Sequence, residues 1–350
     1  MKNIKPLLQL DEFVYDLPAK LIAQYPLQDR DQAGLMVVDR ARGKISHDIF
    51  AHISSYLPSM SCLVLNESRV IPARLFGRRE KTLGRVEVFL LKRLPDGYSY
   101  ETLLRPWARL RPNERICFNG GRLTAEIVDK DKRIVRFNKK YITRSLERYG
   151  HMPLPPYIRR GDEPMDREYY QTVYARNPGS VASPTAGLHF TPSLLDDLRR
   201  NGHTIEKVTL HVNHATFKPV KEEDITRHKM HGEDYAVSRR TFEAIRRAKD
   251  GGQKIIAVGT TSCRVLETLG RYKSNERHSV ALEGSTDIFI YPGCAFRMTD
   301  ALITNFHLPR STPLMLVYAF GGTELMRKAY AEAIDRQYRF YSYGDAMIIL

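Results

Sequence analysis

Between Ile71 and Phe137 the chain breaks into short runs rich in Val, Phe, Leu and Tyr, a texture found nowhere else along it. VEVFLL (86–91), YSYETLL (98–104), RICF (115–118), LTAEIV (123–128) and RIVRF (133–137) are separated by Pro95-Asp-Gly97, Arg111-Pro-Asn113 and Asn119-Gly-Gly121. Short strands at this spacing, parted by turn residues, predict a small antiparallel barrel. The flanks read differently. Short strands are expected at Leu35–Val38, Cys62–Leu65, Thr204–Val212, Lys254–Val258, Ile288–Tyr291 and Leu302–Thr304. Helices are expected at Leu17–Ala23, Ile49–Leu57, Pro192–Asn201 (capped by Thr191), Arg239–Asp250 (capped by Ser238), Ser262–Leu269, Thr312–Ala319 and Thr323–Tyr338. The fold class that follows is a larger mixed α/β domain, residues 1–65 and 155–350, with a small antiparallel β-barrel inserted over 66–154. Leu154-Pro-Pro-Tyr157 marks the return, because successive prolines cannot continue a strand ladder.

Charge is concentrated in the inserted part. Residues 66–150 hold 21 Lys and Arg against 10 Asp and Glu, which is +11 of the chain's formal +15. Such a surface suits a phosphate backbone. Four cysteines, Cys62, Cys117, Cys263 and Cys294, lack metal-type spacing and read as reduced thiols. MKNIKPLLQLDEF has no secretory apolar core, and MLVYAF is too short to span a bilayer. A cytoplasmic protein with no membrane partner is expected.

Polar residues crowd the strand exits. Pro184-Thr-Ala-Gly-Leu-His-Phe190 places Thr185 and His189 in a tight turn, and His189 is the best-placed general base. Gly259-Thr260-Thr261-Ser262 follows an apolar strand and opens a helix, so free N–H groups there attract an anion, with Arg264 one turn further in. A capped helix satisfying its own hydroxyls is the competing reading. Glu283 and Asp287 flank Gly-Ser-Thr and suit ribose hydroxyls or an ammonium, or an ordinary turn. Asn305 and His307 form a similar polar exit. Two His-x-x-His pairs, His211/His214 and His228/His231, with Glu233 nearby, admit a zinc reading, but no HExxH sequence or cysteine pair supports it and no metal is expected. Arg69 and Arg74 are candidate phosphate or carboxylate clamps where the two domains meet.

At these motifs the chain resembles the S-adenosylmethionine:tRNA ribosyltransferase-isomerase family. The resemblance runs through LPAKLIAQYPLQDRD (17–31), LVLNESRVIPARLFG (63–77), LPPYI (154–158), YQTVYA (170–175) and PTAGLHFT (184–191). It continues in HKMHGE (228–233), AVGTTSCRVLE (257–267), TDIFIYPG (286–293), ITNFHLP (303–309) and RFYSYGDAM (339–347). It implies transfer and isomerisation of the ribosyl part of S-adenosylmethionine onto 7-aminomethyl-7-deazaguanine at the wobble position of tRNA. Epoxyqueuosine forms, with loss of adenine and methionine. It also implies no cofactor, since S-adenosylmethionine is consumed, and as partners the tRNAs with GUN anticodons (Asp, Asn, His, Tyr), bound by a monomer. In that frame His189 or His231 transfers the proton, Glu233 orients it or acts as alternate base, and Thr185 positions substrate. Thr260, Thr261 and Arg264 hold the methionine carboxylate, and Glu283 and Asp287 its ammonium or the ribose. His211, Asn305 and His307 line the site, and Arg69, Arg74 and the barrel grip the anticodon arm. A paralogue with another acceptor and a non-catalytic RNA-binding protein are the rival readings. Three departures stand out: Ala33-Gly34 replaces a usual Ser-Arg pair, His211-Val-Asn-His-Ala-Thr-Phe217 replaces a glycine-richer HVGxGTF, and Ser183 stands where Ala is common.

Overall fold

The computed structural model describes residues 8–213, 219–271 and 282–350. Its centre is a nine-stranded sheet, in the order Glu283–Thr286, Glu233–Ala236, Thr204–Leu210, Cys62–Asn66, Ile255–Val258, Ala301–Asn305, Ala346–Ile349, Gly34–Asp39 and Lys44–Ile49. The four middle strands from Thr204–Leu210 to Ala301–Asn305 run parallel. Residues 62–65, 255–258 and 301–303 are continuous apolar runs, as befits parallel strands covered on both faces, whereas Thr204–Leu210, at the end of the parallel set, is buried only from Val208 onward. Along Cys62–Asn66 the pleat sends Cys62 and Val64 into one core and Leu63 and Leu65 into the other. Helices Arg239–Asp250, Thr260–Leu269, Thr312–Gly321 and Thr323–Asp335 bury their apolar residues in the first core, and Pro192–Arg200 in the second.

The barrel is closed, with strands Arg74–Arg79, Arg85–Arg93, Ser99–Arg105, Arg115–Phe118, Leu123–Asp129 and Ile134–Phe137 all paired antiparallel. Alternating residues such as Val86, Val88, Ile116, Phe118, Val135 and Phe137 fill its interior. Ser68–Val70 pairs with Asn177–Ser180 beside the sheet, and the Gln171 side chain both accepts from Val70 N–H (3.0 Å) and donates to Val70 C=O (2.7 Å). That bracket ties the approach to the barrel onto the α/β body.

Several local expectations are corrected. Leu17–Ala23 contains only a 3-10 turn, Ala19–Leu21, and Ile49–Leu57 only the 3-10 segment Phe50–Ser55. Ile288–Tyr291 is not a strand. Ile288 and Ile290 leave the sheet edge and drop into the core, while the edge strand is Glu283–Thr286. The C-terminal strand Ala346–Ile349 was not foreseen; it inserts between Ala301–Asn305, antiparallel, and Gly34–Asp39, parallel. Among the described residues no helix is long and apolar enough to cross a membrane.

Candidate active site and RNA-facing groove

In open α/β sheets, ligands bind beyond the carboxyl ends of the parallel strands, and the polar exits gather there. After Val258 the chain turns at Gly259 (φ 88°, ψ 152°), a backbone region that favours glycine, and enters helix Thr260–Leu269 with no side-chain cap. Three hydroxyls around this uncapped turn have no hydrogen-bond partner among the described residues: Ser183 Oγ, Thr261 Oγ1 and Ser262 Oγ. All three residues are more than nine-tenths buried. Ser183, Thr185, Thr260, Asn305, His307 and Tyr341 are among the walls of a cleft of about 640 Å³. Buried hydroxyls without partners are costly unless something arrives to bond them.

Behind the cleft runs a hydrogen-bonded chain. Thr185 Oγ1 donates to Asn305 Oδ1 (2.8 Å), while Asn305 Nδ2 faces His189 Nε2 (3.1 Å) and the Asp345 carbonyl (3.3 Å). His189 is buried against the Phe50 ring, with centroids 5.0 Å apart, and does not line the cleft. Burial pulls its pKa down to about 4, so it stands neutral as an acceptor toward Asn305. His307 is likewise held neutral, its pKa pulled down to about 3 by burial, with Nε2 2.7 Å from Thr304 Oγ1.

Glu233 and Arg264 form a buried ion pair, with side chains 2% and 8% exposed. Glu233 also accepts from Asn213 N–H (2.7 Å), and Arg264 spends Nε and Nη2 on the carbonyls of Ile288 and Thr286 (3.2 Å each). The guanidinium expected to meet a carboxylate ligand is therefore committed to the protein. Glu283 and Asp287 lie exposed at the outermost strand and line none of the cavities named here. A local carboxylate-hydroxyl pattern did not reveal that its strand was an edge. His231 is exposed in a second cavity of about 1250 Å³ that also contains Asn213, His228 and Glu233. His228 Nδ1 lies 2.9 Å from Glu222. His211 packs beneath Gly179, its Nδ1 buried without a partner among the described residues and its pKa lowered by burial. Among the described residues no three His, Cys, Asp or Glu side chains gather as metal ligands. His214 and the rest of 214–218, including part of the altered 213–215 segment, lie outside the described residues.

A third cavity, about 1720 Å³, separates the barrel from the sheet and includes Arg69, Lys92, Arg93, Arg167, Arg176 and His211. Its cations differ in availability. Lys92 pairs with Asp234 (2.8 Å), and Arg167 donates to the carbonyls of Glu147 (3.0 Å) and Gly150 (2.6 Å). Arg69, Arg93 and Arg176 are exposed and have no carboxylate partner among the described residues. Arg74 lies on the barrel's first strand and pairs with Glu87 (3.0 Å), outside this groove. The groove shares Val212 with the cleft, and Asn213 and Glu233 with the second cavity, so the three spaces adjoin.

Sequence reasoning missed Tyr157, Tyr341 and Ser342, which wall the cleft opposite the helix turn, and Arg93 and Arg176 in the groove. RFYSYGDAM, dense in aromatic and polar residues before the last strand, was the available signal for two of them. Gly34 has its own reason: its N–H donates to Asp345 Oδ1 (3.0 Å), and a Cβ there would sit 3.2 Å from the Tyr338 ring. The replaced Ser-Arg pair therefore falls where this chain packs closely.

A family model described as queuosine biosynthesis protein matches residues 10–349. The S-adenosylmethionine:tRNA ribosyltransferase-isomerase of Sulfurihydrogenibium sp. (strain YO3AOP1) is 49% identical over 345 residues, covering 98% of this chain and 100% of the relative. That of Symbiobacterium thermophilum is 51% identical over 347 residues, with coverage of 98% and 100%. The crystal structure of S-adenosylmethionine tRNA ribosyltransferase from Thermotoga maritima is 36% identical, covers 97% of this chain and 100% of its own, and superposes with a TM-score of 0.55. Likeness of this extent, spread over sheet, barrel and cleft alike, places the chain in the queuosine biosynthesis protein family.

Proposed function

We propose that the cleft beyond the parallel strands, with the adjoining groove, is where this chain carries out the family's reaction. The chain is an S-adenosylmethionine:tRNA ribosyltransferase-isomerase: it transfers and isomerises the ribosyl moiety of S-adenosylmethionine onto 7-aminomethyl-7-deazaguanine in tRNA, giving epoxyqueuosine, adenine and methionine. The observation that carries this is identity of about half to curated relatives over their full length.

The chemistry asks for a base, a place for the sulfonium substrate and exclusion of water. The sulfonium acidifies the adjoining ribose carbon, and proton removal starts the expulsion of adenine. The aminomethyl nitrogen then attacks, and the epoxide closes as methionine leaves. His231, open to the second cavity beside Glu233, is our candidate for proton transfer. Glu233, fixed by Arg264, orients that wall. His189 acts from behind, through Asn305 and Thr185. The guanidinium groups of Arg69, Arg93 and Arg176, none paired with a carboxylate among the described residues, take phosphates of the anticodon arm, and the unit we assign to this task is the insertion 66–154 with its groove. Recognition of GUN anticodons, a monomeric state and cytoplasmic residence belong to the same reading.

The test is incubation of the purified protein with S-adenosylmethionine and tRNA carrying the aminomethyl-deazaguanine base, with and without a chelator. Nucleoside mass spectrometry follows epoxyqueuosine and chromatography follows adenine. Both products in both samples are expected. Intact protein that binds the tRNA yet forms neither product would overturn the reading.

A further inference from the structure

Of the groups that the resemblance implied for the two charged ends of an amino acid, Thr260 and Thr261 line the cleft and the charged ones do not. Arg264 is spent on Glu233 and two backbone carbonyls, and Glu283 and Asp287 lie exposed at the sheet edge. The cleft nevertheless has two ends of opposite hydrogen-bonding character.

One end is rich in donors. The first N–H groups of helix Thr260–Leu269 lack a side-chain cap, and the positive end of the helix dipole faces the same way. A helix start alone would not define a site. Here the partnerless hydroxyls of Ser183 and Thr261, each more than nine-tenths buried, stand in the cleft wall beside it.

The other end only accepts, and this follows from hydrogen-bond polarity. The Asp345 carbonyl is an acceptor, so the Asn305 group facing it is the NH2. That places Oδ1 toward Thr185, and an amide oxygen accepts, so the Thr185 hydroxyl must give its proton to Asn305. His189 Nε2, unprotonated, takes the second amide hydrogen and locks the amide in this sense. What Thr185 has left for the cleft is lone pairs. The two ends are neighbours, because a Cβ on Gly259 would lie 3.7 Å from the Cβ of Ala186, the residue after Thr185.

We propose that the cleft reads an α-amino acid zwitterion: the uncapped turn at Thr260–Ser262, with the Ser183 and Thr261 hydroxyls, takes the α-carboxylate, and Thr185 Oγ takes the α-ammonium. This rests on the reading above, in which that zwitterion is the methionine end of S-adenosylmethionine. Ser183 gives the cleft an additional donor for the carboxylate.

Steady-state kinetics with modified tRNA and three sulfonium substrates test it. They are S-adenosylmethionine, its decarboxylated form, which keeps the amine, and its desamino form, which keeps the carboxylate. With wild-type protein both trimmed substrates should show KM at least tenfold higher. Thr185→Val should raise KM for S-adenosylmethionine and for the decarboxylated form about tenfold and leave KM for the desamino form unchanged. Thr185→Ser should restore KM. Ser183→Ala should show the mirror pattern, weakening S-adenosylmethionine and the desamino form about threefold but not the decarboxylated one. If Thr185→Val fails to fold, as judged by circular dichroism, the Ser183→Ala pattern and the wild-type comparison of the three substrates still decide. Variants that shift all three substrates equally, or wild type indifferent to loss of either group, would overturn the zwitterion site while leaving the reaction itself established. Absence of product from wild type with S-adenosylmethionine would instead overturn the functional reading.

Discussion

His189 makes the protein acid-sensitive in a calculable way. Its folded-state pKa is about 4 against an ordinary value of 6.5. Burial is the largest cause, and the nearby Arg30 and Arg339 guanidinium groups add to it, whereas a hydrogen bond to the Arg30 backbone works in the opposite direction. Between those two values the unfolded chain binds a proton that the folded chain refuses, so stability falls as pH falls. Above pH 6.5 the penalty is negligible, and below pH 4 it is complete, at about 3 kcal/mol. Between pH 7 and pH 5 one such histidine removes about 2 kcal/mol. Thermal or urea unfolding of wild type and His189→Gln at a series of pH values reads this directly. His203, His211 and His307 also have pKa values lowered by desolvation, and their contribution is common to both proteins. The variant, lower in stability at pH 7 through lost packing on Phe50, should lose about 2 kcal/mol less than wild type on going to pH 5. Parallel pH profiles for the two proteins would show that His189 is not held neutral and would remove the basis for its acceptor role toward Asn305.

Two other perturbations separate the structural from the RNA-facing parts. Glu233→Gln leaves the Arg264 guanidinium buried without its counter-charge, and should cost about 3–5 kcal/mol of stability in a thermal melt, largely recovered when Arg264→Met is added. Arg69→Ala with Arg176→Ala should raise KM for tRNA several-fold and leave KM for S-adenosylmethionine unchanged. The same double variant should flatten the dependence of log affinity on log salt by about one for each phosphate that is no longer neutralised.

How much was legible depended on whether the signal was local. The barrel announced itself because the alternation that fills its core and the glycine turns that reverse it lie in one stretch of 67 residues, 71–137. The last strand did not, because Ala346–Ile349 is four apolar residues whose meaning comes from two neighbours distant in sequence. Thr185, His189 and Asn305, singled out from three separate motifs, meet in one hydrogen-bonded chain, yet their polarity was not readable, since it is fixed by the Asp345 carbonyl and not by any motif. Arg264 looked available one turn into a helix; its partner, Glu233, lies 31 positions away. Glu283 and Asp287 looked like ligand groups because a carboxylate beside hydroxyls reads alike at an edge strand and at a central one, and strand order is not a local property.

The hydroxyl-rich helix starts show where a sharper sequence rule lies. Thr191, Ser238 and Ser311 each precede their helix, and each side chain accepts an N–H from the third residue beyond it: Leu194, Thr241 and Leu314. Those hydroxyls are consumed by the fold. At Gly259-Thr-Thr-Ser262 the order is inverted, with the residue that cannot cap standing at the cap position and the hydroxyls falling inside the first turn. From there a side chain cannot fold back onto its own helix start in the same way, and the helix N–H groups and the Thr261 and Ser262 hydroxyls are left facing outward or unpaired. The competing expectation, a helix that satisfies its own hydroxyls, thus fails at Gly259, as it does at Gly322 before helix Thr323–Asp335, and holds at the three starts preceded by a hydroxyl. Hydroxyls before the helix seal its end, whereas a glycine at the cap position leaves the first N–H groups without a side-chain partner.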